Sequence, residues 1–168
     1  MVYLIGYMGV GKTALAKLLA EQLQLPFLDT DLEIEQQEKR SIAEIFKKEG
    51  KLYFRMLETE LLKQYNSKGI VACGGGLAIH NNNMELINSK GISIYLKASA
   101  NHLYNQLKDD KKSRPLIANI TNEELKLYLK KELINRSPFY ELAQHTILVD
   151  SKTKAEILRE INALISAL

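Results

Sequence analysis

The strongest constraint on the fold is a glycine-rich loop between an apolar run and a helix-forming run near the start of the chain. Residues 6–13 read Gly-Tyr-Met-Gly-Val-Gly-Lys-Thr, which is the P-loop pattern G-x-x-x-x-G-K-[ST]. Residues 2–5 are β-prone, and residues 14–23 are rich in helix formers with a leucine stripe. The succession predicts a buried strand that leads through the loop into a helix. The free N–H groups and the dipole at that helix start favour an anion.

The residue types in this loop suit a nucleoside triphosphate. Glycine lets the backbone come close to a polyphosphate, Lys12 can reach the β- and γ-phosphates, and Thr13 can offer a hydroxyl to Mg²⁺. The alternative is a chance glycine-rich turn, but the strand before the loop and the helix after it favour the nucleotide. We therefore predict a nucleotide-binding set in the loop: Gly9, Val10, Gly11, Lys12, Thr13 and Ala14.

Length and composition limit the class of protein. The 168 residues predict one domain over residues 1–168 with a sizeable core. Eighteen of the 23 basic residues are lysines spread along the chain, so the net charge of +3 marks no nucleic-acid surface. Cys73 is the one cysteine, which excludes an internal disulfide. No run of 18 apolar residues and no signal peptide is present. We expect a cytoplasmic monomer with neither nucleic-acid nor membrane partner.

Short apolar runs alternate with helical patterns along the chain. Strands are predicted at 2–5, 26–29, 70–73, 92–96 and 146–149. Helices are predicted at 12–23, 31–38, 41–48, 51–66, 82–89, 100–109, 122–135 and 153–166. Capping-box patterns that begin at Ser41 and Thr121 support two of the helix starts. The alternation predicts an α/β fold with a parallel sheet covered on both faces.

Unusual stretches follow the first three predicted strands. The P-loop follows the first strand, Asp29-Thr30-Asp31 the second, and Gly74-Gly75-Gly76 the third. Ligands of parallel α/β sheets bind outside the carboxyl ends of the strands. We therefore expect the three stretches to form one composite site.

The two carboxylates of the second stretch are two residues apart at a strand end, so they point the same way. One can serve Mg²⁺, and the other can accept a hydrogen bond or a proton from a substrate hydroxyl. The alternative is a helix start with Thr30 or Asp31 as the N-cap. Because a P-loop is expected beside Asp29 and Asp31, we favour the functional interpretation. Asp150 also ends an apolar run, and we interpret it mainly as a turn residue.

The glycine triplet and the few arginines are the remaining candidates. Gly74, Gly75 and Gly76 indicate close approach of a ligand or another backbone, with a flexible turn as the alternative. Arg55 has Glu58 three residues on, which is typical either of a surface ion pair or of a clamp for an anionic substrate.

Two further arginines lie outside the predicted helices. Arg136 precedes Pro138, which is expected to end the helix, so Arg136 either complements the helix C-terminus or points into the cleft as a second clamp. Arg114 lies in the charged segment 109–121, which we interpret as a lid that closes over the phosphates. A solvated loop is the alternative for that segment.

Together these stretches resemble the shikimate kinase family over nearly the whole chain. The matching pieces, in order, are Gly6–Thr13, Phe27–Asp31, Ser41–Phe46, Phe54-Arg55 with Glu58, Gly74–Gly76, Arg114-Pro115-Leu116 and Arg136-x-Pro-x-Tyr140. The P-loop alone is shared by many functions, whereas the whole set at these separations is specific. Gluconate or nucleotide kinases are the nearest rivals. A GTPase switch would need N-K-x-D, which the sequence lacks.

The resemblance implies a nucleoside monophosphate kinase-like fold in three layers. Its five-stranded parallel sheet would have the order 2-3-1-4-5, with a mobile lid at about 109–121 and a substrate-binding helical region at about 31–66. It also implies transfer of the γ-phosphate of ATP to the 3-hydroxyl of shikimate, which yields shikimate 3-phosphate and ADP for aromatic amino-acid biosynthesis.

The resemblance also implies roles for individual residues. Asp31 would contact the reacting hydroxyl, and Asp29 would support Mg²⁺ alongside Thr13. Lys12 and Arg114 would neutralise the phosphates, with Arg114 also in contact with the nucleotide.

The substrate carboxylate would be held by Arg55 and Arg136, together with Gly74, Gly75 and Gly76. Two positions depart from the family pattern. Gly50-Lys51 stands where Gly-Glu is usual, and Lys108 is the residue nearest to the family's adenine-stacking arginine.

Overall fold

A computed structural model describes residues 1–111, 114 and 116–167. The strands are β1 (Val2–Ile5), β2 (Phe27–Asp29), β3 (Ile70–Ala72), β4 (Ile92–Lys97) and β5 (His145–Leu148). The helices are α1 (Lys12–Leu23), α2 (Thr30–Glu38), α3 (Ile42–Lys48), α4 (Gly50–Gln64), α5 (Asn83–Lys90), α6 (Ala100–Leu107), α7 (Asn122–Tyr140) and α8 (Lys154–Ser166). A short 3₁₀ turn spans Leu77–Ile79.

The five strands form one parallel sheet in the order β2-β3-β1-β4-β5, which confirms the predicted order. β1 is central: Val2 pairs with Ile70 of β3 and with Ile92 of β4. All four residues of β1 are buried, as an apolar strand covered on both faces requires. The loop after β1 therefore lies in the middle of the carboxyl edge, next to the loop after β3, with the loop after β2 one strand further along.

The apolar side chains form two separate clusters. The larger one surrounds the sheet and contains most of the buried residues. The smaller one contains Ile34, Ile45, Phe54 and Leu61, which come from α2, α3 and α4. Phe46 packs edge-on against Phe54 with ring centroids 5.2 Å apart. The predicted substrate-binding helices 31–66 thus have a small core of their own.

Both predicted capping boxes are present. Ser41 caps α3 and accepts from the Glu44 amide, while Glu44 accepts from the Ser41 amide at 2.8 Å. Thr121 and Glu124 do the same at the start of α7. A third box, which the sequence analysis did not identify, joins Thr153 to Glu156 at the start of α8.

The predicted end of the helix at residue 135 is wrong, because α7 continues through Pro138 to Tyr140. Proline removes the N–H that would bond to the carbonyl of Ile134. Ile134 is 75% exposed, so water can serve that carbonyl. The last turn is also held from the other side, since Tyr140 is fully buried and its ring lies 5.2 Å from that of Tyr95. Packing of this turn outweighs the lost hydrogen bond.

The segment predicted as a lid, residues 109–121, is described in part. Ile117 is fully buried in the main core, and Lys111 Nζ donates to the Ile120 carbonyl at 2.7 Å. Pro115 of the predicted Arg-Pro-Leu motif lies outside the described residues, as do residues 112 and 113. No helix in the described part of the chain is long and apolar enough to cross a bilayer.

Candidate active site

The P-loop wraps around the ammonium group of Lys12. Lys12 Nζ donates to the carbonyls of Gly6 at 2.7 Å and Tyr7 at 2.9 Å. Gly11 precedes α1 with φ +93, a left-handed conformation that suits glycine. Lys12 is only 8% exposed, and burial lowers its pKa to about 8, while the nearby charge of Asp31 opposes this shift. A buried cation at the start of a helix strengthens the attraction for phosphate.

Asp29 joins the P-loop to the second stretch. Its Oδ2 accepts from Thr13 Oγ1 at 2.6 Å, and its Oδ1 accepts from the amides of Asp31 at 3.0 Å and Leu32 at 3.3 Å. Asp29 is therefore the N-cap of α2, and the alternative that named Thr30 or Asp31 as the cap is wrong. Capping uses one carboxylate oxygen and leaves the other beside Thr13. A hydroxyl and a carboxylate oxygen are donors that suit Mg²⁺.

Asp31 and Thr30 have different tasks at the start of α2. Burial and then the charge of Asp29 raise the pKa of Asp31 to about 6, while Lys12 and Arg55 oppose the shift. Thr30 is fully buried, and its Oγ1 accepts from the Gly74 amide at 2.8 Å. Thr30 thus ties the loop after β2 to the glycine triplet, a role that the sequence analysis missed.

Each glycine of the triplet leaves room for a different neighbour. A Cβ on Gly74 would collide with Asp31 Oδ1. A Cβ on Gly75 would lie 3.1 Å from the Met8 amide nitrogen, and one on Gly76 would lie 2.5 Å from Arg55 Nη2. The groups that come close to these glycines are therefore side chains and the P-loop backbone.

Arg55 and Glu58 form an ion pair in a buried setting. Arg55 Nη1 lies 2.5 Å from Glu58 Oε2, and the Glu58 side chain is fully buried. The alternative of a surface ion pair is therefore wrong. Burial raises the pKa of Glu58 to about 7, although Arg55 opposes the shift. Glu58 Oε1 has no hydrogen-bond partner among the described residues. The pair fixes the position of the Arg55 guanidinium beside α4.

Arg136 points inward from α7, so it does not complement the helix C-terminus. Its Nη1 donates to the Gly75 carbonyl at 3.3 Å, and its guanidinium is paired with Glu132 one turn earlier. Its Cζ lies 5.0 Å from the ring centroid of Tyr7. Tyr140 Oη also donates to the Gly75 carbonyl.

Two cavities of about 310 Å³ each lie along this edge of the sheet. The first, called the P-loop cavity, is lined by Gly9, Gly11, Lys12, Thr13, Ala14, Asp29, Cys73, Gly74 and Gln106. The second, called the arginine cavity, is lined by Glu35, Ser41, Ile42, Ala43, Phe46, Phe54, Arg55, Glu58, Gly76, Leu116 and Arg136. Both are also lined by Met8, Asp31, Gly75 and Arg114, which form a shared wall. The two cavities therefore meet at a carboxylate and a guanidinium.

Most predicted site residues line one of these cavities, and three candidates do not. Val10 is buried in the main core, so only its backbone is free for a ligand. Lys108 Nζ lies over the Tyr104 ring at 5.9 Å, whereas Gln106 lines the P-loop cavity. Asp150 accepts from the Ser99 amide at 2.9 Å and from the Ser99 hydroxyl, which agrees with its interpretation as a turn residue.

The family model and two curated relatives indicate one family. Residues 8–166 match the family model described as shikimate kinase. The chain is 44% identical to the shikimate kinase of Flavobacterium johnsoniae over 164 residues, which cover 95% of both chains. It is 39% identical to the shikimate kinase of Flavobacterium psychrophilum over 168 residues, which cover 98% of both.

Two solved shikimate kinases have a similar fold. The fold is similar to the shikimate kinase from Bacteroides thetaiotaomicron, with a TM-score of 0.90 and 30% identity over 98% of this chain and 97% of that one. It is also similar to the shikimate kinase from Acinetobacter baumannii in complex with shikimate. That TM-score is 0.88, with 34% identity over 99% of this chain and 92% of that one.

Proposed function

The chain belongs to the shikimate kinase family, and on this premise we infer that it is an ATP-dependent small-molecule kinase. It transfers the γ-phosphate of ATP to the 3-hydroxyl of shikimate, giving shikimate 3-phosphate and ADP. The observation that carries this assignment to particular residues is the wall between the two cavities, where Asp31 and Arg114 face both sides. Phosphoryl transfer needs a donor and an acceptor held in line across such a boundary.

The P-loop cavity is the donor half of the site. Backbone N–H groups at the start of α1 and the ammonium of Lys12 bind the phosphates of ATP. Thr13 and Asp29 would hold Mg²⁺, since a hydroxyl and a carboxylate oxygen lie together beside the loop. When bound, the ion neutralises charge on the β- and γ-phosphates. Arg114 offers a further guanidinium to the charge that develops on the transferred group.

The arginine cavity is the acceptor half. Arg55 and Arg136 bind the shikimate carboxylate through their planar forks, next to Gly75 and Gly76. Shikimate is a small carboxylate polyol, so a cavity lined by both guanidiniums and carboxylates can bind its carboxylate as well as its hydroxyls.

Asp31 orients the 3-hydroxyl and accepts its proton. The raised pKa of Asp31, about 6, makes it a better proton acceptor than an ordinary aspartate. This pKa is still low enough to leave Asp31 mostly ionised near neutral pH. Most of the rate enhancement comes from positioning and electrostatic stabilisation, because phosphoryl transfer asks for little covalent help from the protein.

ATP consumption that depends on shikimate is the direct test. Purified protein with Mg·ATP should release ADP only when shikimate is present, with shikimate 3-phosphate formed in equal amount. Gluconate and nucleoside monophosphates serve as rival acceptors. ADP release with gluconate but not with shikimate would contradict the assignment.

The metal assignment has its own test. Chelation of divalent cations should abolish turnover, and added Mg²⁺ should restore it. Thr13→Val, which removes the hydroxyl beside Asp29, should raise the Mg²⁺ concentration required for half-maximal turnover. An unchanged Mg²⁺ requirement in this variant would remove Thr13 from the metal site.

We also propose that the protein works as a monomer in the cytoplasm. Residues of one chain supply the guanidiniums, the carboxylate and the P-loop that the proposed reaction uses, which supports a monomer. The buried free thiol of Cys73 suits a reducing compartment. Sedimentation at catalytic concentrations tests the monomer.

A further part of the proposal is that residues 109–121 form a lid, since Arg114 and Leu116 of this segment line the acceptor half.

A further inference from the structure

Tyr7 occupies a variable position of the P-loop pattern, yet its side chain reaches the acceptor half of the site. Its carbonyl accepts a hydrogen bond from Lys12 Nζ at 2.9 Å, as part of the donor half. Its ring extends the other way and lies 5.0 Å from Arg136 Cζ. The ring is 1% exposed and belongs to the main core, so it is held rigidly. One residue therefore contacts a key cation in each half.

The Arg136 guanidinium is restrained by two polar contacts and by an aromatic ring. At the edges it donates to the Gly75 carbonyl and pairs with the Glu132 carboxylate. Arg136 Cζ lies over the Tyr7 ring, within the distance at which cation–π attraction acts. A guanidinium has five N–H donors in a fixed plane, so restraint of that plane determines where the donors not used by Gly75 and Glu132 point. Arg136 lines the arginine cavity, which is where those donors meet a ligand.

The attraction comes from the neutral ring. Burial raises the pKa of Tyr7 well above its usual range, and the charge of Arg136 offsets only part of this shift. The phenol therefore stays protonated at physiological pH, and no phenolate forms an ion pair with Arg136. Phenylalanine offers the same face at the same place, whereas an aliphatic side chain offers none.

We propose that Tyr7 is a positioning residue for the acceptor substrate, whose ring holds the Arg136 guanidinium in the plane that binds the carboxylate of shikimate. The proposal rests on the proposed function, because it assigns Arg136 to that carboxylate. It adds a specificity role to a residue of the donor loop that the P-loop pattern leaves open.

The test compares Tyr7→Phe with Tyr7→Leu, using shikimate Kd by titration calorimetry together with kcat and both KM values. In Tyr7→Leu, Kd and KM for shikimate should rise about 3- to 30-fold, the range of a lost cation–π contact. KM for ATP and kcat should stay within about twofold of wild type, and Tyr7→Phe should match wild type throughout. Tyr7→Met, which keeps most of the buried volume, replaces the leucine variant if the latter does not fold.

Two controls separate positioning from a general loss of packing. Tyr3→Leu removes a different fully buried ring, which belongs to β1. This variant should have a lower melting temperature but an unchanged affinity for shikimate. In an Arg136→Lys background, Tyr7→Leu should raise shikimate Kd less than it does alone, because its effect passes through the guanidinium fork.

The proposal is overturned if Tyr7→Leu leaves shikimate Kd unchanged, weakens ATP and shikimate equally, or costs the same factor with and without Arg136. Failure of wild-type protein to bind shikimate would instead overturn the proposed function. The two failures are therefore distinguishable by the wild-type titration alone.

Discussion

The donor and acceptor halves of the site are built in different ways. The donor half is local: Gly6 to Ala14 supply one continuous loop and helix start, and Asp29 is its main addition from elsewhere. The acceptor half takes Asp31, Arg55, Gly75 and Arg136 from four separate parts of the chain. Phosphate is bound largely by backbone N–H groups, which one short segment can present, whereas a carboxylate polyol needs side chains that converge from several directions.

The two halves also differ in what holds their charged groups. Lys12 is held by carbonyls of its own loop, within six residues in sequence. Arg136 pairs with Glu132 one turn earlier, but it also contacts a ring from the P-loop and a carbonyl from the glycine triplet, 61 residues away in sequence. The acceptor half therefore depends on tertiary packing far more than the donor half does, and substitutions should separate the two.

The largest separation is expected for Asp31→Asn. The amide keeps the size of the carboxylate but cannot take the proton of the acceptor hydroxyl, so kcat should fall about 10²- to 10⁴-fold. ADP affinity, measured by titration, should stay close to that of wild type. Asp150→Asn is a matched control outside both cavities and should keep wild-type turnover. An equal loss of nucleotide affinity in Asp31→Asn would break the division into halves.

Arg136→Lys should affect the acceptor half alone. Lysine keeps the charge but loses the planar fork, so KM for shikimate should rise about 10- to 100-fold, the cost of a lost charged hydrogen bond or two. KM for ATP should be unchanged in steady-state kinetics. Arg159→Lys on the exposed face of α8 is the control for arginine substitution in general. Parallel increases in both KM values would place Arg136 outside the carboxylate clamp.

The pH profile of kcat/KM should show one titrating group from each half. Activity requires Asp31 ionised, and its pKa is raised to about 6, so activity should fall about tenfold per unit as the pH drops below that value. It also requires Lys12 protonated, and its pKa is lowered to about 8, so activity should fall again as the pH rises above that value. Retention of the acid limb in the residual activity of Asp31→Asn would assign that limb to another group.

The smallest effect on activity is expected at Thr30, whose hydroxyl ties the loop after β2 to the glycine triplet. Thr30→Val removes the acceptor of the buried Gly74 amide, which should lower the free energy of unfolding by about 1–3 kcal/mol. Thr30→Ser keeps the hydroxyl and should recover most of this loss. Both KM values should rise together and only slightly, because Thr30 contacts the loops rather than the substrates. Chemical denaturation of the three proteins measures the difference, and equal stability of the valine variant would show that this hydrogen bond contributes little.

Much of the fold followed from local pattern. The alternation of apolar runs and helical periods predicted the parallel sheet, and the capping boxes at Ser41 and Thr121 located two helix starts. The predicted end of α7 was wrong because the rule that proline ends a helix considers only neighbouring residues. Burial of Tyr140 and its contact with Tyr95 involve residues that no window around Pro138 contains.

The amino-acid sequence was enough to predict the donor half, the composite edge of the sheet and, through the set of spaced motifs, the family. A P-loop encodes its geometry in consecutive residues, so its pattern is nearly equivalent to its structure. The three-dimensional structure was needed to show that Glu58 is buried against Arg55, that Arg136 points inward, and that the Tyr7 ring lies beside Arg136. These features depend on desolvation and on contacts between distant elements, and spacing along a chain specifies neither of them.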